Sequence, residues 1–276
     1  MARFLPETIE SVLRQSYPHI DYRVLDGGST DGTLDLLRGY EGRFEWRSAR
    51  DNGAAAALRE GFAVARGAIL GWVNADDVLL PGAVEGAVLA LAAHPEAAAV
   101  FGQASWIDEA GRLIAPYPVL ANATSVLDLE CAICQPACFF RASAYRAAGG
   151  IDARWGSAFD YDLWIRLARV GPFIHVNQDW ARSRMHRGNK TLGNRGQAFA
   201  EGMAILERHF GYVPAAWIHS EYLWSRDQRD QFFEPSRGSL RSWLGCLPEG
   251  MRRNHRRWRR YIWDWLTLPL GRASGR

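Results

Sequence analysis

Two adjacent carboxylates, Asp76 and Asp77, close a short apolar run that extends from Ile69 to Val73. The run is brief and partly β-branched or aromatic, which predicts a buried strand. Carboxylates at the end of a buried strand are costly unless a cation meets them. In an open α/β sheet, ligands sit at the carboxyl ends of the strands. Successive side chains of an extended segment point to opposite sides. One carboxylate can therefore hold a divalent metal while its neighbour reaches a ribose hydroxyl, which is the chemistry of binding a nucleotide diphosphate. The competing reading is a loop whose two solvated Asp cap the helix after Pro81.

A second segment has the same form. Ile20-Asp21-Tyr22-Arg23-Val24-Leu25 predicts another short strand. It runs into Asp26-Gly27-Gly28-Ser29-Thr30-Asp31-Gly32-Thr33, ahead of a helical run from Leu34 to Tyr40. The glycines allow a tight turn and a close backbone approach, and Ser29, Thr30 and Asp31 are helix-capping types. A capped strand-to-helix turn accounts for the glycines and hydroxyls. It does not account for two strands that end in Asp at one edge of one sheet. A third segment, Phe159 to Ala168, has helical spacing, with Leu163, Trp164 and Leu167 on one face and Asp160 and Asp162 in its first turn. The helix dipole favours ionised carboxylates there. Residues two apart do not share a helical face, so one of the two acids is expected to face a site. The alternative is a pair of acids that only stabilises a helix N-terminus.

In order and spacing, these segments resemble the family 2 inverting glycosyltransferases, which have the GT-A fold. The matching features are Glu7-Thr8-Ile9-Glu10-Ser11-Val12-Leu13, Asp26 to Thr33, Asn74 to Asp77, Gln135-Pro136-Ala137, Asp160 to Leu167, and Arg184-Met185-His186 ahead of Lys190-Thr191. The resemblance covers roughly residues 2–192. Each motif is weak alone; together, in this order, they are specific.

The resemblance implies an α/β fold of the nucleotide-diphospho-sugar transferase type, a Rossmann-like mixed sheet with a helical C-terminal extension. Its catalytic domain is expected over residues 1–195 and the extension over 196–276. It implies that Asp26 contacts the nucleotide base, that Asp76 lies near the ribose, and that Asp77 binds Mg²⁺ or Mn²⁺. Asp160 matches the family's catalytic base, which often follows a Glu; here Phe159 stands in that place. His186 matches a His that lies near the metal or diphosphate in relatives. Gln135, and with it Trp164, falls in the acceptor region. The donor implied is a nucleotide sugar, most often a UDP-sugar, and the acceptor a glycan or lipid-linked hydroxyl.

Two departures from the family pattern matter. Members usually begin with a strand and a short polar stretch ahead of the segment matching Ala2-Arg3-Phe4-Leu5-Pro6, and that strand is central in the sheet. The sequence starts after it, which raises two expectations, a start site placed too late or a truncated and catalytically silent relative. The second departure is Asp51-Asn52-Gly53-Ala54-Ala55-Ala56-Ala57-Leu58-Arg59, where relatives carry more polar residues. Arg59 is expected either to pair with the diphosphate or to be a solvated helix residue.

Composition sets the bounds. A chain of 276 residues, 48% hydrophobic, allows one sizeable core plus an appendage. A net charge of +3 is too small to argue for nucleic acid over the whole chain. The N-terminus predicts an amphipathic helix, Pro6 to Gln15, rather than a signal peptide, and no run reaches the length of a membrane span. A cytoplasmic location follows as an expectation. Cys131, Cys134 and Cys138 lack a suitably spaced fourth zinc ligand and lie among apolar residues, so buried thiols are expected.

The pattern predicts helices at 6–16, 33–40, 54–66, 82–94, 124–131, 142–148 and 160–169. It predicts strands at 20–25, 44–47, 69–74, 98–103, 137–141, 173–176 and 180–185, a hairpin turn at Asp108 to Arg112, and helices from Gln197 on. The tail from Met251 to Trp265 packs six Arg and three Trp into one segment, followed by Leu266 to Leu270. Trp and Arg together suit a membrane interface, so peripheral contact with the inner face of the plasma membrane through 251–270 competes with a surface helix that packs its Trp onto the catalytic domain. RNA binding by charge and stacking is a lesser alternative. The classes in play are thus an active metal-dependent glycosyltransferase of surface polysaccharide or glycolipid synthesis, a silent relative that binds a sugar nucleotide, and a basic-tail nucleic-acid module.

Overall fold

A computed structural model describes residues 1–268; the last two residues of the 251–270 segment lie outside the described part. The chain forms two compact units, one of residues 1–124 with 132–185, the other of residues 125–131 with the chain from His186 on.

The first unit opens with α1 (Leu5–Leu13), β1 (Arg23–Asp26), α2 (Thr33–Arg38), β2 (Glu45–Ser48), α3 (Ala54–Val64), β3 (Ile69–Leu70), β4 (Val78–Leu79) and α4 (Ala83–Ala93). It continues with β5 (Ala99–Ile107), β6 (Leu113–Pro116), β7 (Cys138–Arg141), α5 (Ala142–Ala147), α6 (Phe159–Leu167) and β8 (Phe173–Arg184). α1 forms because Pro6 pre-sets the first turn and Leu5, Ile9 and Val12 fall on one buried face. Ile9 is wholly buried, a gain of ~1.5–3 kcal/mol over leaving it in water.

The strands form two ladders. β1 and β2 pair in parallel, Arg23 opposite Glu45 through Asp26 opposite Ser48. The others form a mixed sheet in the order β3-β7-β5-β8-β4, with β6 on β5. β5 and β8 run parallel, and β3, β4, β6 and β7 join antiparallel. The sequence predicts that the two Asp-bearing strands share one sheet edge; among the described residues β1 and β3 share no ladder.

The expected strand 69–74 stops at Leu70. Gly71 passes so close to Phe139 that a Cβ there would lie 2.7 Å from its ring, and the backbone leaves the ladder. It then turns at Asn74–Asp77, where the Asp77 amide donates to the Asn74 carbonyl at 3.1 Å. β3 and β4 stand at opposite ends of the strand order, so residues 71–77 run across the end of the sheet. The two Asp sit on that crossing turn, not on an extended strand, because the turn supplies their backbone hydrogen bonds. The two short strands expected at 173–176 and 180–185 are one continuous β8. A Cβ at Gly102 of β5 would come within 2.5 Å of Trp180 in β8, and the β5–β8 register shifts there. The helix expected at 124–131 is a 3-10 turn at Ala123–Val126.

The second unit is helical, with α7 (Lys190–Gly193), α8 (Arg195–Phe210), α9 (Ala215–Asp227), α10 (Leu240–Gly245), α11 (Leu247–Arg253) and α12 (Trp258–Thr267). Asp264 of α12 accepts from the Tyr212 hydroxyl at 2.6 Å and from the amide of Ala215, the first residue of α9, at 2.7 Å. The buried Asn254 side chain binds both the amide and the carbonyl of Val213, each at 2.9 Å.

α12 is two-faced. Tyr261 and Trp265 are buried. Trp265 stacks on Trp243 of α10 at 3.7 Å, and each indole N–H donates to the other residue's carbonyl. Arg260 lies over the Tyr212 ring and pairs with Asp128. This face therefore packs within the second unit. Trp263, Trp258 and Leu266 are exposed by 71%, 47% and 57%, with Arg256, Arg257 and Arg259 beside them in the chain, also exposed.

Candidate functional site

The Asn74–Asp77 turn is held by donors from four directions. Asp77 is buried. Its Oδ1 accepts from the Arg184 backbone amide at 2.9 Å and its Oδ2 from the Asn74 side-chain amide at 3.0 Å. Its carbonyl accepts from the Thr8 hydroxyl of α1 at 2.7 Å. Burial and the neighbouring charge of Asp76 raise the Asp77 carboxyl to about 7, against the hydrogen bonds from Arg184, Asn74 and Ser183. Asp76 is buried too, and its carbonyl accepts from Nε of Arg184 at 2.9 Å. The turn is thus a rigid shelf at the carboxyl end of β8, with two carboxylates on consecutive residues.

Gln135, expected in the acceptor region, lies in a 3-10 turn at Gln135–Ala137. Its side-chain amide donates to the Trp72 carbonyl at 2.7 Å and its oxygen accepts from Asn74 at 3.0 Å. It braces the crossing segment from beneath. Trp164 is fully buried, stacked on Trp72 with ring centroids 5.5 Å apart and edge-on to Phe140. Its ring is core and offers no surface to an acceptor, which corrects its expected place in the acceptor region. Phe159, standing where relatives often have Glu, is buried against Trp72 at 6.0 Å. The position has become part of the same aromatic packing.

α6 separates its two acids. Asp162 is fully buried and ion-paired to Arg166 one turn on, with Nε to Oδ2 at 2.8 Å. Arg166 also donates to the carbonyls of Ala148 and Gly150. Asp160 is half-buried, and its Oδ1 accepts from the Tyr161 amide at 2.8 Å. The helix thus anchors itself through Asp162 and leaves Asp160 on its first turn at the partly open side, as the two-apart spacing predicts.

Asp26 ends β1. Its Oδ2 accepts from the amides of Gly28 and Ser29 at 3.0 Å and from the Ser48 hydroxyl at 2.5 Å. Burial would raise its pKa, but the Ser29 and Ser48 hydroxyls and the two amides outweigh it and hold the carboxylate below its usual range. The turn that could be a plain cap is therefore built around this Asp. Arg59 is exposed on α3 and makes no ion pair among the described residues. His186 is buried, two residues beyond the Arg184 whose amide holds Asp77, and is the first residue of the second unit's main segment. Among the described residues no three acids, His or Cys gather as a metal cluster. Arg184, Thr8 and Asn74 lie in motifs noted from the sequence, but the grip of Arg184 and Thr8 on the turn spans more than sixty residues and could not be read there.

The chain and its fold have counterparts among known proteins. The glycosyl transferase family 2 model matches residues 2–145. Chondroitin synthase of Escherichia coli is 28% identical over 247 residues, 83% of this chain and 35% of that protein. The chain thus spans about a third of that relative, and 20% of the chondroitin synthase of Pasteurella multocida. The putative glycosyltransferase EpsE of Bacillus subtilis is 28% identical over 74% of this chain and 76% of its own length. Among solved structures, Staphylococcus aureus TarS in complex with UDP-GlcNAc superposes with a TM-score of 0.58 at 13% identity, covering 91% of this chain and 78% of that one. The mannosyltransferase PcManGT of Pyrobaculum calidifontis, in complex with GDP-Man and Mn²⁺, gives 0.55 at 16% identity, covering 96% and 81%. The fold is GT-A. With more than half of its length matched by the family model, the chain belongs to glycosyl transferase family 2.

Proposed function

We propose that the protein transfers a sugar from a nucleotide-sugar donor to an acceptor hydroxyl, with inversion at the anomeric carbon, in surface polysaccharide or glycolipid synthesis. The observation that carries this reading is the Asp76–Asp77 shelf: two buried acidic residues in succession, the second raised by burial and by the other's charge. Oxygen ligands on two adjacent acidic residues suit a hard divalent cation, Mg²⁺ or Mn²⁺. Asp77 is fixed by its two internal donors, so the pair acts together, Asp77 toward the cation and Asp76 toward the cation or the ribose. When bound, the cation supplies counter-charge to the departing nucleotide diphosphate. Asp26 holds the base end of the donor as an ionised acceptor. Asp160 removes the proton of the acceptor hydroxyl as it attacks opposite the diphosphate, typically worth ~10²–10⁴-fold. Asp162 is spent on Arg166 and has no part in the transfer.

A UDP-sugar is the first donor to try, and the family's chondroitin synthases and EpsE support a glycan or lipid-linked acceptor. No helix among the described residues is long and apolar enough to cross a membrane. Contact with the inner face of the plasma membrane through Trp258, Trp263, Leu266 and Arg256, Arg257 and Arg259 is part of the reading; nucleic acid is not. The test is release of nucleotide diphosphate from a panel of UDP-, GDP- and dTDP-sugars with Mn²⁺, followed by NMR of the product anomer. Donor binding without release, with acceptor present, would return the protein to a silent sugar-nucleotide binder.

A further inference from the structure

Arg184, the last residue of β8, is 2% exposed, an unusual place for a guanidinium. Burying one is expensive unless its donors are met. Here four contacts meet them. Nε donates to the Asp76 carbonyl at 2.9 Å. One terminal nitrogen donates to the carbonyls of Asp108 at 3.0 Å and Glu109 at 3.3 Å, in the turn between β5 and β6. The other forms an ion pair with Glu7 of α1. The guanidinium also lies 4.8 Å over the Phe4 ring. The backbone amide of the same residue donates to Oδ1 of Asp77. One residue therefore holds the main chain of the first carboxylate and the side chain of the second. It ties both to α1 and to the β5–β6 turn, and α1 answers with Thr8 on the Asp77 carbonyl.

We propose that Arg184 is the positioning residue of the donor-cation shelf: its planar fork sets the Asp76–Asp77 turn in the geometry that receives a divalent cation, and its charge offsets part of the repulsion between the two carboxylates. The proposal rests on the reading of Asp76 and Asp77 as the cation site. A guanidinium suits the task because its donors are fixed in one plane and stay charged at any working pH. A Lys in its place keeps the charge but not the three-way fork. Partners that orient metal-binding side chains typically change metal affinity 10–100-fold when removed. The role differs from that of Arg141, whose guanidinium also binds three carbonyls, those of Leu91, His94 and Ala97, but which touches neither Asp.

The experiment uses the full chain, with Mn²⁺ binding followed by electron paramagnetic resonance in the presence of UDP. Circular dichroism reports the fold and melting temperature. Arg184→Lys is expected to lower the melting temperature and to weaken Mn²⁺ binding by about tenfold, raising the Mn²⁺ concentration for half-maximal rate while kcat at saturating Mn²⁺ stays within about twofold. Arg141→Lys is expected to lower the melting temperature with Mn²⁺ affinity unchanged. Glu7→Gln, at a half-exposed position, loosens the clamp without emptying the core and should weaken Mn²⁺ several-fold. If Arg184→Lys folds and binds Mn²⁺ as tightly as the parent while Asp77→Asn loses it, Arg184 is only a structural residue and the proposal falls. If Arg184→Lys does not fold, unchanged affinity in Glu7→Gln overturns it equally. If Asp77→Asn and Asp76→Asn both leave Mn²⁺ binding intact, the cation site itself lies elsewhere, and the proposal falls with it.

Discussion

At the scale of single residues, the protein keeps acids out of water only where something answers their charge or their lone pairs. Asp26 is answered by amides and hydroxyls, and Asp162 by Arg166. Asp77 has hydrogen bonds from Arg184, Asn74 and Ser183, but burial and the charge of Asp76 prevail and its pKa rises. Asp77→Asn keeps the shape but turns an NH₂ toward either the Arg184 amide or the Asn74 amide, and removes the charge. It is expected to abolish Mn²⁺-dependent binding of nucleotide diphosphate in calorimetry; unchanged binding would count against the assignment. The raised pKa also has a sign that can be tested. The unfolded chain ionises this Asp near 3.8, the folded chain near 7. Below both values it is neutral in both states; above both, only the folded state bears the cost of the buried charge. The metal-free protein should therefore lose stability as pH rises from about 4 to about 7. Mn²⁺ with UDP should flatten that slope in thermal melts. A metal-free melting temperature that climbs steadily across this window would show that other carboxylates dominate.

At the scale of elements, α6 is the clearest division of labour. Its second acid makes an i,i+4 pair that locks the helix to the Ala148 and Gly150 carbonyls, and its first acid remains half-open. Asp160→Asn should lose ~10²–10⁴-fold in kcat with the donor affinity and the melting temperature nearly unchanged. Asp162→Asn should do the reverse. It strands a largely buried guanidinium and should cost on the order of 3 kcal/mol in urea unfolding, with a much smaller loss of kcat in the protein that remains folded. If the two effects were exchanged, the base would be Asp162. The crossing segment 71–77 makes the same point in another way. It is an apolar strand-like stretch by composition, yet a close Phe139 ring and a turn at Asn74 take it out of the ladder.

At the scale of the whole chain, the basic tail divides between core and surface. Removing α12 would expose Tyr261 and Trp265 and break the Trp243 stack, so point substitutions test the surface better than truncation. Arg259, Trp263 and Leu266 follow one another at i+4 and i+3, a single helical face. Trp263→Ala with Arg259→Glu should cut flotation on anionic vesicles while the melting temperature holds. Added salt should weaken binding of the parent, since each basic side chain near the surface contributes ~1 kcal/mol and is screened within a Debye length. Equal flotation of parent and variant, or no preference for anionic over neutral vesicles, would leave α12 as a packed helix alone.

What the residues determined by themselves was local or ordinal. Helical periodicity placed α1 and α4 within a few residues, because each buries one face whatever it packs against, and α6 too, although it is buried nearly all round. The order of Asp26, Asp76, Asp77 and Asp160, each beside a strand or a helix start, pointed to the family. Tertiary structure decided everything that depends on a distant partner. The resemblance puts Trp164 in the acceptor region and composition puts Trp265 in a basic tail, but Trp72 and Trp243 draw them into cores. Residues 69–74 keep the composition of a strand, yet only Ile69 and Leu70 join the ladder; beyond them the Gln135 side chain meets the Trp72 carbonyl. Arg184 reads as one Arg among many until β8 brings its end to the Asp turn. Hydrophobic pattern and capping act over a few residues, whereas burial, pairing and charge compensation are set by contacts between segments far apart in the chain.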